Sequence, residues 1–169
     1  MTSSAVLAAR PSHAIARPAR RALARFLGSE ATWSGPILRL TLALVMFPHG
    51  AQKVLGWFGG YGLSASLDAF TTHMGIPAPI ALLVFAGELL GPLLLVAGLG
   101  TRFAAGSLAL IMTGALAVHW QHGFFMNWSG QQGGEGFEFH LLAIGLALAL
   151  AVSGAGRASL DRVLARRLG

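Results

Sequence analysis

Cysteine is absent from this chain of 169 residues, which excludes disulfides, thiolate chemistry, Cys-ligated zinc and iron–sulfur clusters together. Charge is scarce as well: 11% of the residues are Asp, Glu, Lys or Arg, against about 25% in a soluble domain. No acid precedes Glu30, and before Ile37 nothing forms the apolar stretch of roughly 7 to 15 residues that a secretory signal needs. Also missing are a G-x-G-x-x-G turn after a strand, a Walker-type Lys-Ser/Thr motif and a serine elbow. Dinucleotide, nucleotide and acyl chemistry therefore have no visible home.

What remains is apolar. Hydrophobic residues make up 54% and the mean hydropathy is +0.65, so lipid is the principal solvent. Apolar runs predict helices over about 36–58, 77–99, 102–120 and 137–153, each near the roughly 20 residues that cross a bilayer core. Pro36 suits a first helical turn, and Gly59, Gly60 and Gly62 stop the first helix. The fold class expected is all-α: an integral membrane four-helix bundle, residues 36–155, between a basic tail at 1–35 and a basic amphipathic tail at 156–169.

The formal net charge of +6 would suggest nucleic acid if the cations were dispersed, but they are not. Five arginines lie in the N-terminal tail, Arg102 stands between helices two and three, and four more follow residue 156, while Gly59 to Gly75 and Gln121 to Gly136 carry neither Lys nor Arg. This asymmetry predicts both termini in the cytoplasm and a lipid partner rather than a nucleic acid. The Arg-rich, acid-poor start shares its composition with mitochondrial transit peptides; positive-inside anchoring is the simpler account. In the last tail Leu160, Val163, Leu164 and Leu168 share a face, which suits the anionic inner leaflet. In the first outer loop, Leu63, Leu67, Phe70 and Met74 predict a short amphipathic helix on the membrane surface behind Ser64 as N-cap. The Trp and Phe residues of the second outer loop suit an interface belt.

Ionisable residues within the apolar segments are the functional candidates, because a charge at a helix centre costs about 2.5 to 3.5 kcal/mol even on the lenient insertion scale. Glu88, halfway along helix two, needs a partner or a purpose. It is a substrate- or proton-handling group, or a buried carboxyl that fixes helix register. His49, Gln52 and Lys53 share a helical face, and Arg39 lies within about 40 degrees of the same line. Lys53 and Arg39 can also snorkel to opposite headgroup layers, an escape His49 lacks. His119, Glu138 and His140 lie at the same outer end as His49 and Lys53, so they converge on one face, with Glu88 deeper. Gly87 and Gly91 have the small-xxx-small spacing that lets helices approach closely, and Pro92 frees a carbonyl of the preceding turn. A metal site is weakly supported, since Glu138 and His140 are two apart and face away from each other on a helix. No haem groove is evident.

Several of these segments, Arg39-Leu-Thr-Leu-Ala-Leu, Phe47-Pro-His-Gly-Ala-Gln-Lys53, Gly87-Glu-Leu-Leu-Gly-Pro92 and Gly100-Thr-Arg102, followed by a histidine-bearing fourth helix, together resemble the DoxX family over about residues 36–155. The resemblance implies a four-helix, multi-pass protein of the bacterial cytoplasmic (inner) membrane, linked with quinone-dependent electron transfer and with complexes that handle oxidants. It places Arg39, His49, Lys53, Glu88 and Arg102 on the family's recurring polar positions. Joined to the residues, it suggests His49, Lys53, Glu88 and His140 as catalytic, and Arg39, His49, Gln52, Lys53 and His119 as binding a quinone, the one cofactor suggested. The alternatives are a non-catalytic scaffold or assembly subunit, which would recruit a soluble or membrane redox partner, and a small-solute permease. Self-association is compatible with either.

Overall fold

A computed structural model describes residues 17–168; the expected tail over residues 1–16 lies outside them. Among the described residues there are seven α-helices and no strand: α1 (Arg17–Leu27), α2 (Ser34–Leu55), α3 (Gly62–Asp68), α4 (Ala78–Ala97), α5 (Thr101–His119), α6 (Glu138–Ser153) and α7 (Leu160–Leu168). A π-helical turn, Ala69–His73, continues α3, and a 3-10 turn, Trp120–His122, continues α5.

The four long helices pack side by side: α2 on α4, α4 on α5, α5 on α6, and α6 back on α2. Leu42 and Met46 of α2, Leu95 of α4, Leu108 of α5 and Leu150 of α6 fill the centre, interleaved with Ala43, Ala104, Ala105, Ala143 and Ala147. Small residues at these positions let the backbones approach, and dispersion between close-packed helices follows. Two helical segments, Ala78–Ala97 and Thr101–His122, are long and apolar enough to cross a membrane, and α6 is a shorter apolar helix.

Helix ends depart from the sequence expectation for identifiable reasons. The first long helix stops at Leu55 rather than near residue 58, because Gly56 takes a left-handed φ of 70° and its N–H caps Ala51. In the loop helix Ser64 is not the N-cap. The helix starts at Gly62, whose φ of 77° turns the chain in, and Tyr61 precedes it without a side-chain cap. The expected N-terminal tail is helical over Arg17–Leu27, and this α1 packs on α7.

Helix α7 also does more than present an apolar face. Asp161 is buried and accepts the backbone N–H groups of Gly100 (2.7 Å) and Thr101 (2.8 Å), while its own N–H donates to the carbonyl of Gly98. A carboxylate from a different helix thus caps the first turn of α5, where free N–H groups and the helix dipole both favour negative charge. Replacing Asp161 by alanine should cost about 2 kcal/mol, lowering the thermal midpoint of the detergent-purified protein by about 4 to 8 °C. Arg167→Ala, on the exposed side of the same helix, should leave it within about a degree or two. Equal effects would mean that α7 is not held through Asp161.

Candidate functional site

Pro48 has no N–H to return to the Leu44 carbonyl and Pro92 none for that of Glu88, so both helices are locally loosened where they meet. Gly50 marks the crossing of α2 and α4: a Cβ there would fall onto the Glu88 carbonyl and the Leu89 nitrogen. Only a residue without a side chain allows this approach. One turn further along α2, Lys53 therefore reaches across and forms an ion pair with Glu88. Gly87 and Gly91, by contrast, face Ile111 and Leu108 of α5. The close approach that gives Glu88 its partner comes from Gly50, not from the small-xxx-small pair on α4.

The pair is asymmetric. The Glu88 side chain is 3% exposed and that of Lys53 27%, so the carboxylate is sealed within the protein while the ammonium lies at the margin. Lys53 also stands 6.0 Å from the centre of the Phe70 ring, and Phe70 packs edge-on against Phe85 at 4.9 Å. The π-helical turn after α3 brings Phe70 there. Ammonium groups carry three donors, of which Glu88 occupies one.

His49 lies one turn before Lys53 on α2. Its ring meets Phe139 of α6 at 5.8 Å. Next to Phe139 is His140, whose ring stacks on His119 at 4.8 Å and 27°, and His122 stands 6.0 Å beyond His119. Three of the candidate imidazoles and one further histidine thus follow one another across α2, α6 and the end of α5. His140 is buried, and its Nδ1 has no hydrogen-bond partner among the described residues. His119 Nδ1 contacts the Glu135 carbonyl at 3.1 Å; a carbonyl only accepts, so that nitrogen carries the proton.

Arg39 and Gln52 stand apart from this group. Gln52 Nε2 donates to the Phe58 carbonyl at 3.2 Å and shapes the turn behind α2. Arg39 lies 14 residues before Lys53, about 21 Å along the helix, and donates to the carbonyls of Leu95 (2.8 Å), Val96 (3.1 Å), Arg157 (3.3 Å) and Ala158 (2.8 Å). Glu138 accepts from the backbone N–H of Met126 and the Trp128 indole, organising the loop before α6. Phe139 and Phe70 were not legible as neighbours of the site. Phe139 is flanked by Glu138 and His140, which is a usable hint, but nothing local predicts the π-turn that delivers Phe70. Among the described residues no group of three or more His, Asp or Glu side chains is arranged to hold a metal ion.

Comparison with known proteins gives a family and one relative. The family model DoxX matches residues 36–120. An uncharacterized protein of Haemophilus influenzae is 33% identical over 131 residues, covering 76% of this chain and 81% of that relative. No solved structure matches.

Unequal burial sets the outcome of breaking the pair. Lys53→Met strands a carboxylate that water barely reaches and should cost about 3 kcal/mol, whereas Glu88→Gln leaves an ammonium that can turn to solvent and should cost about 1 kcal/mol. Thermal unfolding of the two variants side by side tests this. Glu88→Gln melting at or below Lys53→Met would contradict the assignment of the buried member.

Proposed function

Since the chain belongs to the DoxX family, whose members are membrane-associated, we propose that its four long helices span the bacterial cytoplasmic membrane with both termini inside, and that the Lys53–Glu88 pair and its histidines form a proton-handling site for a quinone. The apolar surface supports the spanning arrangement. Large side chains point outward on every long helix, among them Ile37 and Leu44 on α2, Leu83 and Val96 on α4, Phe103 and Leu110 on α5, and Leu142 and Val152 on α6. Arg102 and the arginines of α1 and α7 gather at one end, while the loops at the other end, 59–75 and 121–136, carry neither Lys nor Arg. That asymmetry favours the arginine-rich end as cytoplasmic. A reporter behind Gly169 should accordingly be active only inside, and one inserted near Gly130 only outside; reversed signals would overturn the orientation.

The ion pair carries the functional reading. A carboxylate sealed within the protein beside a partly open ammonium, with the His49 imidazole one turn away, is a set of groups able to hold and exchange protons in a medium of low dielectric. The residues suit a quinone: Lys53 has two further donors, His49 and the unpartnered His140 Nδ1 offer nitrogens to ring oxygens, and Phe139 and Phe70 offer apolar faces. When bound, a quinone supplies the redox chemistry. The chain's own contribution is to bind its oxygens, exclude water and pass protons among Lys53, the Glu88 carboxylate and the imidazoles. A soluble or membrane redox partner exchanges the electrons.

A scaffold role is the second reading, favoured by Arg39, Arg102 and Asp161, whose polar contacts all tie backbone segments together. Purification in mild detergent followed by quinone extraction and visible absorption separates the two. The redox reading expects quinone in stoichiometric amount, lost in His49→Ala and Glu88→Gln while both variants stay folded. A well-folded protein with no quinone, flavin or metal, and variants without effect on quinone-linked activity, would overturn it in favour of the scaffold.

A further inference from the structure

At the Arg39 end of the molecule, a groove of about 390 Å³ opens between the 29–33 turn and α7, lined by Arg157, Arg162 and Arg166 together with Ala31 and Ser159. Arg162 and Arg166 are four apart on α7 and so share a face. No acid lines the groove. The nearest carboxylate on this helix, Asp161, is buried on the other side and occupied by the N–H groups of Gly100 and Thr101. Among the described residues the only ion pair is Lys53–Glu88, so these guanidinium groups have no anionic partner there. Arg162 Nη1 is buried and makes no hydrogen bond, so the protein itself provides no acceptor for that end of the guanidinium. Arg157 is held in place by its Nε bond to the Ala31 carbonyl (2.7 Å) and by the Trp33 ring, 5.4 Å from its guanidinium carbon.

We propose that this groove binds a phosphate ester, the headgroup of an anionic phospholipid. Guanidinium forks match phosphate oxygens in geometry and charge, and three of them line this groove with no carboxylate among them. The surroundings identify the source as lipid rather than a free ion. Trp33 is 62% exposed beside the groove, and Leu160, Val163 and Leu164 of α7 are exposed next to the arginines. An exposed indole and an apolar strip flanking a cationic groove fit the boundary between headgroups and acyl chains. The inference rests on reading this end as lying at headgroup depth, but not on which side of the membrane it faces.

The test uses the full-length protein in a neutral detergent, titrated with phosphatidylglycerol, with phosphatidylcholine and with inorganic phosphate, and read by native mass spectrometry and by thermal midpoint. Phosphatidylglycerol should be retained and should raise the midpoint, with phosphatidylcholine at least about tenfold weaker. In Arg162→Gln/Arg166→Gln the preference should vanish, while Arg21→Gln/Arg25→Gln, on the exposed face of α1, should keep it. Equal protection by inorganic phosphate would overturn the lipid assignment in favour of a soluble phosphate ligand. Equal retention of both lipids, or a preference unchanged in the α7 double variant, would overturn the site itself. Because the readout is independent of orientation and of quinone, it fails separately from the reading above.

Discussion

Two buried or half-buried arginines hold one end of this molecule together by satisfying backbone carbonyls that helix geometry leaves open. Arg39 of α2 donates to the last turn of α4 and to the turn before α7. Arg102 of α5 donates to the carbonyls of Ala151 and Val152 at the end of α6, and to those of Phe26 and Gly28 at the end of α1. Each guanidinium spreads its donors over two chain segments remote in sequence, which a lysine ammonium cannot do with the same planar geometry. The last carbonyls of a helix need partners, most of all where water is scarce. One arginine per helix pair meets that need and fixes where α1 and α7 dock.

At the other end the governing feature is a close backbone crossing. Gly50 brings α2 onto the Glu88 peptide, two prolines loosen the helices on either side, and the Lys53–Glu88 pair forms as a consequence. The histidines follow from the same packing, since α6 meets α2 through Phe139 and His49. A polar stripe along one helix is thereby divided between two tasks about 21 Å apart: Arg39 serves architecture, and Lys53 and His49 belong to the polar cluster.

How much of this was legible depends on the range of the interaction. Helices could be placed to within about three residues because apolar length and Gly–Pro punctuation are local properties. Ser64 misled because a serine ahead of an apolar repeat is only one of several ways to begin a helix, and the backbone freedom of Gly62 decided the matter. Gln52 shares a face with Lys53, yet its amide turns to the carbonyl of Phe58. Helical phase gives the direction of a side chain but not the competition for its donors. The glycines at 87 and 91 suggested a close helix approach, but they face side chains of α5, and the close backbone crossing lies at Gly50.

From the sequence alone came the all-helical class, the apolar character, the scarcity of charge away from the tails and the short set of ionisable residues that needed explaining, because each depends on composition and on periodicity within one segment. The tertiary structure alone decided which of those residues meet. That Lys53 finds Glu88 through the gap at Gly50, that Arg39 is spent on carbonyls, and that Asp161 caps a helix sixty residues away are outcomes of packing between distant segments. No spacing within a single helix encodes them.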